Sequence, residues 1–541
     1  MSIVSGLTAM NRALNLVPKR AEARQVDRLR DTFVDSGISV ALEAIDHQVL
    51  YGRRGTGKTH AFRYLETLVR AKGAIPIYID LRTIGSPDGL FAGDEIKPIE
   101  RASRLLVDLL GQVHDGLLEA VLIDDELIVD PAFVAKLDAL LTSITNLQVS
   151  GEVEVSHEGE VKESDKGTLG VQGTLAAAPK FSAKIGSESA TEVRGLQKET
   201  RRGVESIRLN FSDVGRALRE LAASMSQRRV WLLLDEWSSV PPDIQPYLGE
   251  FLVRCVLPLP MFTVKIAAIE QQSRFRTILP NGATIGIELG ADVAANIDLD
   301  EFMVFEQNEE RARSFFRGLL FKHLTFGVED AEKVPGLVVE ADVVRVGFTD
   351  KRAFDELVRA AEGVPRDAIN IGAKAALRAG SKPISVPDVR FAARSWYQAD
   401  KEAAVRSHEN AQRLLNWIID KVIKQKRTRG FLVNQKSTNA SLLMALFDAR
   451  VLHIVRRGYS AQDEPGERYD VYVIDYGAYV DLIQTKYEPQ GMLPFDDFTN
   501  GEEDPELGFI DVPTQDLRAI RRAILDLEYF ESGFDLGWQK P

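Results

Sequence analysis

Residues 51–60, YGRRGTGKTH, follow the apolar pair Val49-Leu50 and lead directly into AFRYLETLVR (61–70), whose apolar residues have helical spacing. Gly52, Gly57, Lys58 and Thr59 occupy every fixed position of the pattern G-x-x-x-x-G-K-[ST]. The spacing has a mechanical cause. Glycines let successive backbone N–H groups curl around a pyrophosphate, lysine reaches the terminal phosphate oxygens, threonine ligates Mg²⁺, and the helix N-terminus contributes its dipole. The reading therefore takes Gly52, Arg53, Arg54, Gly55, Thr56, Gly57, Lys58, Thr59 and His60 as a phosphate-binding segment. The competing reading is a glycine turn between a strand and a helix.

A second stretch weighs against that alternative. RRVWLLLDEWSSVP (228–241) is apolar at every position from Val230 to Leu234, the pattern of a parallel strand buried on both faces. It delivers Asp235 and Glu236 at its carboxyl end. An aspartate there suits the Mg²⁺ shell, and a glutamate suits orienting and deprotonating an attacking water.

Together GRRGTGKT and LLLDE resemble the AAA+ ATPases. AAEGVPRDAINI (360–371) is similar to the lid turn of initiator-clade members, with a helix ending at Gly363, another restarting at Pro365, and Arg366 presented to the γ-phosphate. MFTVKIAAIEQQSRFRTILP (261–280) stands where the family carries its sensor strand. That strand ends here in Glu270, Gln271 and Gln272 rather than the usual Asn, Ser or Thr, so either Glu270 or Gln271 fills the role or this is a plain strand-end turn. Arg274 and Arg276 follow where a trans-acting arginine finger is expected, or are ordinary surface residues. Val17 and Pro18 resemble the segment that packs over adenine, with helix packing as the alternative.

The resemblance implies an α/β P-loop NTPase parallel-sheet core with a helical lid and a winged helix. It implies ATP and Mg²⁺ as cofactors, Asp235 and Thr59 as metal ligands, Glu236 and Lys58 as catalytic residues, and homo-oligomers that share sites. The expected boundaries are 1–300 for the ATPase core, with an insertion at 149–206, 301–400 for the lid, 405–485 for the winged helix and 486–541 for an acidic extension.

The insertion has two alternating segments, around Val149, Val153 and Val155 and around Leu169, Val171 and Leu175, flanking the turn signal Ser164-Asp165-Lys166-Gly167. A β-hairpin arm or a loop is expected there. NAQRLLNWIIDKVIKQKRTRGFLV (410–433) reads as an amphipathic helix ending in Lys421, Lys424, Lys426, Arg427 and Arg429. A second helix in 437–450 and two strands within 451–482 follow. That order is a winged helix, with the basic cluster placed for DNA phosphates or the whole module for a protein contact. TQDLRAIRRAILDLEY (514–529) reads as a helix within the acidic tail.

Composition sets the remaining limits. With 541 residues, 45% hydrophobic and 27% charged, the chain has an ordinary globular composition for roughly three domains. A net charge of −13 argues against coating nucleic acid over the whole surface. The single cysteine, Cys255, excludes an internal disulfide. No window approaches the ~18 apolar residues of a membrane span, so cytoplasm and no membrane partner are expected. Two outputs fit these features. One is a nucleotide-dependent switch that assembles with a partner effector, as in bacterial defence; the other is a DNA-binding initiator- or loader-like ATPase.

Overall fold

The computed structural model describes residues 7–19, 26–85, 96–123, 132–145, 147–150, 204–207, 211–225, 228–302, 309–329, 332–426, 428–438, 440–460, 467–483 and 523–535. The chain is α/β, and a five-stranded parallel sheet forms its core. The strands are β1 (Gln48–Tyr51), β2 (Ile75–Asp80), β3 (Val230–Asp235), β4 (Phe262–Ala268) and β5 (Ala294–Asp298), in the spatial order β2-β3-β4-β1-β5. Every residue of β1, β3 and β4 is buried, as continuous apolar runs in a two-faced sheet require.

Side chains of β3 alternate between the faces. Leu232 and Leu234 pack with the helices Pro98–Ile123 and Phe211–Ser224, while Trp231 and Leu233 pack with Phe62, Leu65 and Val69 of the helix Lys58–Ala71. The β2–β3 register sets Asp80 beside Asp235, so both acids emerge at the carboxyl edge. In open α/β sheets this is the edge where ligands bind.

The region expected as a lid is helical, with helices at Glu309–Thr325, Asp342–Gly347, Lys351–Ala360, Pro365–Ala379 and Val386–Trp396. The helix Ala9–Leu16 belongs with it rather than with the sheet. Asn11 donates to the carbonyls of Gly380 and Lys382 at 2.7 and 2.8 Å, and Met10, Leu14 and Val17 join the same apolar cluster. The first residues of the expected 1–300 core are therefore part of the helical unit.

The C-terminal unit departs from the expected order. The helix Glu409–Ile418 passes through a π-helical segment at Ile419–Gln425 and ends, and Gly430–Asn434 is a strand rather than a helical tail. Its Phe431, Leu432 and Val433 suit a pleated, fully buried position. They pair antiparallel with Arg468–Ile474, which pairs in turn with Leu452–Ser460. Ile524–Leu525 adds a parallel edge to Gly430–Asn434, so the helix expected over 514–529 is a strand at that point, and the helix begins at Leu527.

At the insertion, Leu147–Ser150 and Val204–Ile207 form an antiparallel ladder. Of the expected alternating segments, Val149 lies in this ladder, while Val153, Val155, Leu169, Val171, Leu175 and the turn lie outside the described residues, as do residues 486–522 of the acidic extension. Among the described residues no helix is long and apolar enough to cross a membrane, and no cluster of three His, Cys, Asp or Glu is placed to hold a metal.

Candidate functional site

The segment 52–59 turns from β1 into the helix Lys58–Ala71 at the carboxyl edge of the sheet. Gly57 caps that helix at φ 104°, a left-handed conformation that glycine adopts without strain, and no side chain caps the first turn. Its leading N–H groups therefore face the loop interior. Gly55 also has positive φ, and a Cβ there would stand 2.8 Å from Arg366 Nε.

Lys58 is buried, and its ammonium donates to the carbonyls of Gly52 and Arg53 at 2.7 and 3.2 Å. Burial lowers its pKa, and the nearby carboxylates of Glu236, Asp235 and Asp300 oppose that shift. Thr59 Oγ1 donates to Asp235 Oδ2 at 2.7 Å, joining the two motifs across 176 positions of sequence. Tyr78, on β2, donates to the same oxygen at 2.7 Å. Burial, and next the Asp235 charge, push the Tyr78 phenol up, so it stays a donor.

Glu236 leaves the strand at φ 59°, unusual for a residue with a Cβ. Such conformations cost of order 1–3 kcal/mol and cluster at functional sites. The Glu236 backbone N–H donates to Asp235 Oδ1 at 2.8 Å, and its carboxylate comes within 3.7 Å of Arg82 Nη1.

These groups fit a nucleoside triphosphate with Mg²⁺: an uncapped helix start, two positive-φ glycines, a buried ammonium, and a hydroxyl and carboxylate already paired as a metal-binding couple would be. From the helical unit, Arg366 follows Pro365 at the start of the helix Pro365–Ala379, as the sequence implied. Its backbone N–H donates to the Gly55 carbonyl at 3.3 Å, and its side chain lies against Gly55.

The other expected site residues differ in where they are placed. Arg53 does not face the loop interior; its guanidinium pairs with Asp300 and enters the C-terminal unit. The His60 ring faces the Leu29 carbonyl at 2.6 Å and packs edge-on to Phe33, because a helix-face histidine one residue past Thr59 points away from the loop. Arg54 is exposed, and Thr56 is buried with its hydroxyl on the Arg53 carbonyl.

Val17 is buried in the helical unit's core and Pro18 half-buried beside it. The Glu270 carboxylate is taken by Arg457 of the C-terminal unit at 2.6 Å. Arg274 and Arg276 are exposed, Arg276 within 3.6 Å of Glu288. In the basic cluster, Arg429 is buried, 3.4 Å from Glu362 and 3.0 Å from the Tyr479 hydroxyl, and is not offered to a phosphate. Lys424 pairs with Asp420 at 2.7 Å, Lys421 and Lys426 are exposed, and Arg427 lies outside the described residues.

Tyr78, Arg82 and Asp300 escaped the sequence reading. No spacing links Tyr78 to Asp235; only the β2–β3 register brings them together. The one available signal was the alternation of β2, which puts Tyr78 and Asp80 on its less buried face.

No family model matches the chain, and no curated protein matches it. Among solved structures, Cdc6p from Pyrobaculum aerophilum is similar at 14% identity, covering 87% of this chain and 97% of that one, with a TM-score of 0.29. The Orc1 protein of Aeropyrum pernix, solved in complex with DNA, is similar at 14% identity, covering 87% and 94%, with a TM-score of 0.30. Likeness this slight decides neither ligand nor activity.

Proposed function

We propose that this chain binds and hydrolyses ATP as an AAA+ ATPase, and that it works as an oligomerising nucleotide-dependent switch. The observation that carries the reading is the meeting of Lys58, Thr59, Asp235 and Glu236 at one sheet edge, with Thr59 and Asp235 2.7 Å apart. The loop N–H groups and Lys58 bind the phosphates, and Thr59 and Asp235 hold Mg²⁺. Bound there, the metal neutralises charge on the phosphate oxygens. Tyr78 orients Asp235. Glu236 positions the attacking water and accepts its proton. Arg366 carries the occupancy of the loop to the helical unit, and Arg274 and Arg276 act on a neighbouring subunit.

The output we favour is a contact with a partner effector protein rather than DNA. Arg429 is spent on Glu362 and Lys424 on Asp420, and the chain's net charge is −13. Replacing Glu236 by Gln tests the reading. The variant should bind ATP as the wild type does, turn it over 10²–10⁴-fold more slowly (an order-of-magnitude range), and gain mass in light scattering when ATP is added. Turnover at the wild-type rate would remove Glu236 from its role.

A further inference from the structure

Arg53, the residue after the first loop glycine, is 3% exposed and points away from the phosphate cradle. Its backbone N–H and its Nε donate to the two oxygens of Asp300, at 2.8 and 2.9 Å. Nη1 donates to the Leu452 carbonyl at 2.9 Å, Nη2 to His453 Nδ1 at 3.1 Å, and the guanidinium lies 4.6 Å from the centre of the Phe447 ring. A guanidinium only donates, so the His453 nitrogen facing it carries a lone pair, and the ring is the neutral tautomer with its proton on Nε2. That Nε2–H donates to Asp475 at 3.0 Å. Burial keeps the ring neutral, pushing its pKa down to about 4.

The chain of buried groups continues. Asp475 pairs with Lys401, Lys401 reaches Asp367 at 3.0 Å, and Asp367 takes Arg450 at 2.6 Å. Asp367 adjoins Arg366, whose backbone N–H is on the Gly55 carbonyl. The network thus leaves the phosphate loop at Arg53, crosses the C-terminal unit, and returns to the same loop beside Arg366. Burying this many charges costs more than an apolar contact of equal size. What it adds is direction: a broken member leaves charges without partners, so the loop and the C-terminal unit hold their shapes together.

We infer that Arg53 and His453 form a latch through which the C-terminal unit sets the conformation of the phosphate loop, coupling nucleotide occupancy to the placement of that unit. His453 is a positioning residue in this scheme, and the inference rests on the nucleotide reading above. Coupling of this kind is reciprocal, so nucleotide must also alter the C-terminal unit.

Two substitutions in the full chain separate the latch from simple packing. His453→Gln places an amide N–H where Nε2 donates to Asp475 but loses the acceptor for Arg53. His453→Asn keeps an acceptor at the Nδ1 position. With a fluorescent ADP derivative as probe, His453→Gln should release it about 2- to 30-fold faster than wild type, and His453→Asn at close to the wild-type rate. Arg53→Lys, which keeps the charge but not the fork, should follow His453→Gln.

In hydrogen exchange, ADP should change protection of the helix Ser441–Asp448 in wild type and His453→Asn but not in His453→Gln. Normal ADP binding with identical release and exchange in all variants would overturn the latch alone. A folded wild type that binds no ADP would overturn the nucleotide reading and the latch with it.

Discussion

Toward β3, Lys58 and Thr59 meet loop carbonyls and one carboxylate, partners that a polyphosphate and its metal can replace oxygen for oxygen. On the opposite side of the same loop, Arg53 meets Asp300, Leu452 and His453, each held by its own strand or network and none replaceable by a ligand. Residues five and six apart in one segment therefore do opposite work: one side exchanges partners and the other fixes position. A phosphate-loop pattern states only where the glycines and the lysine must be. The x positions are set by whatever the fold packs behind the loop.

The exchanging side predicts the largest effects. If Arg274 and Arg276 complete a neighbour's site, replacing both with Ala should cut turnover about 10³–10⁵-fold. Mixing that variant with Glu236→Gln chains should restore activity at mixed interfaces. Phosphate release measured across mixing ratios checks this, and a mixture no better than its components would confine the site to one subunit.

A smaller effect is expected at Tyr78, where Phe removes the hydroxyl that orients Asp235. The Mg²⁺ concentration needed for half-maximal turnover should rise about 10- to 100-fold with the ATP affinity little changed, read from Mg²⁺ titrations. An unchanged Mg²⁺ requirement would leave Tyr78 as packing only.

The fixing side predicts a stability effect with a definite sign. Burial holds the pKa of folded His453 down to about 4, whereas the unfolded residue has its ordinary value near 6.5. Between those values the unfolded chain binds more protons. The contribution is therefore full above pH 6.5 and is lost as pH falls toward 4, the loss reaching about 2 kcal/mol at pH 5. The thermal midpoint of wild type should drop more between pH 7 and pH 5 than that of His453→Asn; equal drops would show a ring already charged in the folded state.

The two sides also differed in how far the sequence revealed them. The glycine loop at 52–59, the buried strand ending in Asp235-Glu236 and the Gly363–Pro365 turn were legible because each follows from local backbone and spacing rules: glycine at left-handed positions, apolar continuity in a two-faced sheet, proline at a helix start. The Arg53 network was not, since it joins residues about 400 positions apart and no spacing encodes that. Within the basic run 421–429, the place of Arg429 was hidden for a related reason. Charge pattern does not report burial, and Arg429 turns inward to Glu362. Phe431, Leu432 and Val433 were absorbed into a helix because a short apolar run is ambiguous in period until its partner strand is known.

The central claim is that segment 52–59 holds the phosphates of ATP through Lys58. Titrating the full chain with a fluorescent ATP derivative in the presence of Mg²⁺, beside Lys58→Ala, tests it most directly. Wild type should bind saturably and be competed by unlabelled ATP, and Lys58→Ala should lose about tenfold or more in affinity, as expected when a charged phosphate contact is removed. Equal binding by the two proteins, or no binding by a folded wild type, would contradict it.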